Sequence, residues 1–237
     1  MTAGDKAINY LSMIIGGIIG ILVGLAIYRR TMARAAELQR EEGGAADELA
    51  AAAKHGGRVV VRISLDDFHH QRARRYRLGS QSPEGFFMDS YDYEAFAERV
   101  LRPLGSGGSR VYWARSHDLA TDRILDNDEE PPRVADPGSV VIVDGMFLHR
   151  DEMRGAWDFS VFLDVEAGIC AERMRLRDGT APPLVPEARY FGGQLLYFRS
   201  CKPWERATLV VDNSQVDAPV LKSPCAGRGG VEAQQSN

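Results

Sequence analysis

Three carboxylates stand directly after apolar, β-branched runs: Asp66 follows VVVRISL, Asp144 closes SVVIVD and Asp164 closes FSVFLD. In an open parallel sheet the carboxyl ends of strands lie along one edge, and ligands bind in the crevice outside it, so these acids can converge. Two such acids suit phosphoryl transfer, one holding Mg²⁺ and the other taking the proton of an attacking hydroxyl. Cations for the developing charge are at hand in Arg173, Arg175 and Arg177, although alternate spacing spreads them around a helix. Each group also has a plainer reading: Asp66 and Asp67 as a polar turn that caps the next segment, the arginines as a solvated helix face.

The elements that would position these groups alternate. Strands are expected at Val59–Leu65, Ser139–Asp144, 159–165 and in ATLVVDN, and helices at 46–55, 91–101, 167–178 and from about Glu187 to Cys201. This order predicts an α/β protein with a doubly wound parallel sheet. The loop GSGGS is no phosphate cradle, because no lysine follows it and no buried strand feeds it. The basic loop HHQRARRYR lacks interleaved stacking aromatics, so it reads as a phosphate-facing or solvated loop, and no nucleic-acid partner is expected. His69 and His70 are neighbours after a strand and give no third ligand for a metal.

A net charge of -4 over 237 residues gives no general attraction to nucleic acid. Three cysteines without CxxC spacing indicate neither a disulfide framework nor a zinc site. From Ile8 to Tyr28 the chain carries no charge, and 21 helical residues reach about 30 Å, the thickness of a bilayer core. The stretch is therefore expected to be a transmembrane helix. Gly16, Gly20 and Gly24 share one of its faces and offer a surface for helix–helix self-association. Arg29, Arg30 and Arg34 follow, which places the bulk of the chain in the cytosol as a single-pass protein. On the run IYRRTMARAAEL, the anchor resembles the tail of fungal Golgi membrane proteins of the DedA-like group. The expected division is an anchor at 1–30, a juxtamembrane helix and linker at 31–45, the α/β domain at 46–213 and a disordered tail at 214–237.

The segments ISLDDFHHQRARRYRLG, SPEGFFMDSYDYEAF, RPLG, HDLATDR, VVIVDGMFLHR, WDFSVFLDV, ERMRLRDG and YFGGQLLYFRSCKPWERATLVVDN, in this order, resemble bacterial uridine kinases and the wider uridine kinase and phosphoribulokinase family. The resemblance runs from about Ala46 to Asn213. It implies a P-loop kinase fold that moves the γ-phosphate of Mg-ATP to the 5'-hydroxyl of a nucleoside or a similar small substrate. By position, Asp66 would activate the acceptor hydroxyl, and Asp144 would be the metal-holding acid of the Walker B strand. Tyr112 and His117 would lie near the acceptor with His69, and Arg173 and Arg177 would belong to the lid.

The departure from that family matters as much. Its members open with a strand and GxxxxGK[ST], whose backbone N–H groups, lysine and hydroxyl hold the phosphates and Mg²⁺. No Gly-Lys pair occurs anywhere in this sequence, and Gly43-Gly44-Ala45 stands where the loop should end. The sheet expected is thus incomplete: its central strand is missing, two neighbours keep open edges, and a transmembrane helix is not expected to replace it. Two readings follow. One is a membrane-tethered kinase whose phosphate site comes from elsewhere; the other is a non-catalytic, membrane-anchored pseudokinase or interaction protein.

Overall fold

A computed structural model of the protein describes residues 9–10, 45–178, 187–216 and 218–222. In chain order the strands are β1 (Asn9–Tyr10), β2 (Val60–Ser64), β3 (Val111–Tyr112), β4 (His117–Asp118), β5 (Arg123–Ile124), β6 (Arg133–Val134), β7 (Val140–Asp144), β8 (Val161–Asp164), β9 (Leu209–Asp212) and β10 (Val220–Lys222). The helices are α1 (Ala45–His55), α2 (Arg72–Arg75), α3 (Pro83–Asp89), α4 (Tyr93–Phe96), α5 (Arg102–Leu104), α6 (Ala167–Asp178), α7 (Glu187–Cys201) and α8 (Pro203–Arg206). The architecture is mixed α/β with parallel pairings, as expected.

Among the described residues the parallel pairings fall into two ladders, the second with β10 added antiparallel. One runs β1-β7-β2 and the other β10-β9-β8. In the first, β2 lies parallel to β7 with Ser64 opposite Asp144, and in the second β8 lies parallel to β9 with Asp164 opposite Asp212. β-branched residues make these strands: Val61, Ile63, Val140, Val141 and Ile142 are buried, as suits a sheet covered on both sides. Beneath β2 and β7, Leu65, Phe68, Phe96, Val100 and Leu104 join one core cluster with Phe86, Phe147 and Tyr197. On the other face Ala50 of α1 packs against Val140 and Ile142.

The paired glycines of YFGGQLL have a packing reason. A Cβ on Gly192 would fall 2.6 Å from Pro83 Cγ, and one on Gly193 would fall 2.6 Å from Phe86 Cδ1. Two bare positions let α7 come against α3. Arg189, one turn earlier, is 2% exposed and donates to the carbonyls of Arg75 at 2.6 Å, Ser82 at 2.9 Å and Gly79 at 3.1 Å. It ties the basic loop to α7, and burial pushes its guanidinium below its usual range.

Several expectations need correction. The helix anticipated at 91–101 begins at Tyr93 and passes into a π turn at Ala97–Leu101 before α5, with Pro103 in the following turn. Val220–Lys222, inside the stretch expected as tail, adds antiparallel to β9. Asn9 and Tyr10 lie inside the stretch expected as a transmembrane helix but form β1, parallel to β7. Residues 11–28, with Gly16, Gly20 and Gly24, lie outside the described residues, as do 31–44 and 223–237. Among the described residues no helix is long and apolar enough to cross a membrane.

Candidate functional site

β2 stops at Ser64 because the chain turns into a 3₁₀ segment, Leu65–Phe68, with the Ser64 side chain accepting from the Asp66 N–H. That turn lifts Asp66 and Asp67 out of the sheet plane. Gly145, just past β7, makes room for it: a Cβ there would meet Leu65 Cβ at 2.6 Å, and its φ of +151° favours glycine.

Asp66 is held by an aromatic clamp. The Tyr91 hydroxyl donates to Asp66 Oδ1 at 2.8 Å, and the His69 ring lies 4.5 Å from the Tyr91 ring. His69 Nδ1 is 2.6 Å from the Asp66 carbonyl oxygen. A carbonyl only accepts, so Nδ1 carries the proton and Nε2 is left as an acceptor. Burial holds the His69 ring below its ordinary pKa, which keeps it neutral at pH 7. Burial pushes Tyr91 well above its own, so its hydroxyl stays protonated and donates. Asp67 is raised by burial, against the pull of Arg115 and with added repulsion from Asp66 and Asp144.

His117 is buried on β4, its Nε2 3.3 Å from Asp122 Oδ1. Asp122 also accepts the Arg72 N–H at 2.8 Å and pairs with Arg75 at 3.4 Å. Asp122 thereby fastens the basic loop to the β4–β5 hairpin. The loop's other arginines are likewise paired: Arg77 grips both oxygens of buried Asp89 at 2.9 and 3.0 Å. Tyr112, by contrast, is a core residue on β3, with burial raising its phenol.

Asp144 faces Arg62. Nη1 lies 2.7 Å from Asp144 Oδ1, while Nε and Nη2 reach Asp47 on α1 at 3.2 and 3.1 Å. One guanidinium therefore serves two carboxylates, and Ser64 Oγ lies 3.4 Å from the second Asp144 oxygen. These residues do not fit Mg-ATP: the cation beside the strand-end acid is a side chain of the sheet, and no Gly-Lys loop exists to hold phosphates. Among the described residues no group of three His, Cys, Asp or Glu could hold a metal.

Asp164 does not join this crevice. It ends the other ladder, where Lys222 bridges it at 2.8 Å and Asp212 at 2.9 Å. Arg173 donates to the carbonyls of Asn213 and Ser214 at 2.9 Å each, fastening α6 to the end of β9. Arg175 and Arg177 lie on α6, but their side chains are outside the described residues. Asp66 and His69 are thus brought together, with His117 in the adjoining hairpin, while Tyr112, Arg173 and Asp164 have structural partners instead. Tyr91, Arg62 and Asp122 were missed. Arg62 left a signal, as a lone cation inside an apolar strand; Tyr91 and Asp122 left none, because their partners are distant in sequence.

No family model matches the chain. Among solved structures, a possible uridine kinase from Bacillus stearothermophilus superposes with a TM-score of 0.54 at 20% identity, covering 77% of this chain and 97% of that one. That likeness establishes a kinase-like fold. Among curated proteins, the Golgi apparatus membrane protein tvp38 of Sclerotinia sclerotiorum is 57% identical over 42 residues, 18% of this chain and 11% of its own length. Its namesake from Neosartorya fischeri is 55% identical over 128 residues, 54% of this chain and 24% of its own length. The chain thus spans a quarter or less of these curated relatives. They correct the expectation of a uridine-kinase-like phosphotransferase: at the sequence level the relatives are named as membrane proteins, and the kinase likeness extends to the fold.

Proposed function

We propose that the protein is a non-catalytic, membrane-associated binding module that uses a kinase-type sheet as its scaffold. The observation that carries this reading is the Arg62–Asp144 pair at 2.7 Å, shared with Asp47. A metal-holding carboxylate must be open to its ion, and this one is already neutralised by its neighbour in the sheet. The absence of any Gly-Lys pair removes the other half of a phosphate site. The acceptor half, with Asp66, Tyr91 and His69 in one hydrogen-bonded cluster, keeps groups that can hold a small hydroxylated ligand such as a nucleoside.

Membrane association rests on the uncharged stretch from Ile8 to Tyr28 and on the printed name of the curated relatives. In this reading the part of the stretch after Tyr10 is a single-pass anchor, since Asn9 and Tyr10 pair with β7, and the kinase-like domain, an incomplete doubly wound sheet, faces the cytosol. Calorimetric titration of the full chain in detergent tests the non-catalytic part. Mg-ATP is expected to give no binding heat at micromolar concentrations, and saturable micromolar binding would overturn the proposal.

A further inference from the structure

A cavity of about 460 Å³ is walled by residues of β7, β8, α1 and α7. Asp66, His69 and Tyr91 are not in its wall, so it is separate from the cluster that they form. Ligand cavities run from about 300 to 1,000 Å³, and this volume suits a molecule of about two fused rings. Aromatic side chains make much of the wall: Phe147, Trp157, Phe162 and Phe198, with Phe162 and Phe198 edge to face at 5.9 Å. Such rings receive a flat ligand by offset stacking or edge contact.

The charges in the wall are already engaged. Arg62 bonds both Asp144 and Asp47, so a charged ligand would have to compete with these pairs, which favours a neutral one. Two further polar groups have partners as well: Trp157 Nε1 donates to the Leu148 carbonyl at 2.9 Å, and Ser160 Oγ accepts the Thr208 N–H at 3.3 Å.

His149 is different. It belongs to the wall, is 9% exposed, and its Nε2 has no hydrogen-bond partner. The Tyr197 hydroxyl oxygen accepts the His149 backbone N–H at 3.1 Å, and the acceptor within reach of its own proton is His149 Nδ1 at 3.2 Å. Burial pushes the Tyr197 phenol far up and lowers His149 to about 4, so the phenol keeps its proton and the imidazole is neutral. A neutral imidazole has one acceptor nitrogen and one N–H; with Nδ1 accepting, the hydrogen sits on Nε2. A buried N–H without a partner is costly, and an acceptor atom on a ligand would remove that cost. We infer that the cavity binds a neutral, flat, largely apolar molecule carrying a hydrogen-bond acceptor, to which His149 Nε2–H donates.

Equilibrium dialysis of the full chain, with the same detergent in both chambers so that partition cancels, tests this with two compounds. Coumarin is a neutral fused-ring lactone whose carbonyl accepts; naphthalene has the two rings without the acceptor. Coumarin is expected to bind saturably, one molecule per chain. His149→Phe keeps a ring in the wall and removes the donor, and it is expected to weaken coumarin on the order of 10-fold while leaving naphthalene unchanged. No saturable binding of coumarin to the parent protein, or the same change for both compounds in His149→Phe, overturns the proposal. Val161→Trp, which fills the cavity from β8, is expected to abolish binding of both, and unchanged binding would put the compounds elsewhere and overturn it too. Should that strand substitution prevent folding, as read by circular dichroism, Leu148→Trp fills the cavity from the loop after β7 and carries the same expectation.

Discussion

Arg62 and Asp144 stand on adjacent parallel strands, two register steps apart, so their side chains share one face of the sheet and meet at 2.7 Å. Both are partly exposed, at 25% and 42% of their side-chain surfaces, so the pair is a modest stabiliser. Its importance is chemical: it places a fixed cation on the acid that a metal would need. In a double-mutant cycle of Arg62→Met and Asp144→Asn, urea unfolding should give a coupling of about 0.5–1 kcal/mol. Additive single effects would show that the two do not interact.

Tyr91→Phe removes the only hydroxyl shown donating to the Asp66 carboxylate among the described residues. The loss should be about 1 kcal/mol by chemical denaturation, with the ring still packed in the core. A larger effect should appear in binding of small hydroxylated ligands. Asp66 then loses its orientation, and titration with uridine as a probe should weaken relative to the parent protein.

His149 sets a pH dependence. Burial, then repulsion from Arg206, lowers its pKa to about 4 from an ordinary value near 6.5. Between those values the unfolded chain binds a proton that the folded protein rejects, so stability is full above pH 6.5 and falls as pH drops toward 4. The loss should amount to about 3 kcal/mol, read from urea midpoints across this window. His149→Gln should flatten that slope. Tyr197 accepts the His149 N–H at 3.1 Å, a bond to the backbone that the substitution keeps.

Gly193→Ala should destabilise despite alanine's better helix propensity. The new methyl would sit 2.6 Å from Phe86 Cδ1, and overpacking of about 1–3 kcal/mol outweighs a propensity gain of about 1 kcal/mol. A lowered Tm checks this, and a raised Tm would mean that α3 and α7 can separate at little cost.

Arg189→Met leaves the carbonyls of Arg75, Gly79 and Ser82 without their buried donor. The expected cost is about 3 kcal/mol, and limited proteolysis should shift to the loop between Arg75 and Ser82. Unchanged cleavage would show that the loop is held by Asp89 and Asp122 alone.

Local pattern made much of this legible. The β-branched runs ending at Leu65, Asp144 and Val165 foretold β2, β7 and β8, because burial on both faces selects such residues. Helices α6 and α7 also fall where expected. The site was legible in its members but not in its pairings. Asp164 looks like Asp144 in sequence, each an acid closing an apolar strand, yet one meets Lys222 and the other Arg62.

The sequence by itself determined the α/β class, the strand-ending acids, the uncharged segment near the N-terminus and the lack of any Gly-Lys pair, since composition and short-range spacing specify these. Only the tertiary structure decided that Arg62 covers Asp144, that Tyr91 orients Asp66, and that among the described residues the parallel strands fall into two ladders beside an apolar cavity. The reason is range. A strand's alternation is written in neighbouring residues, whereas a salt bridge or a ladder joins residues 80 positions apart, as for Arg62 and Ile142, and which edges meet depends on the packing of the whole chain.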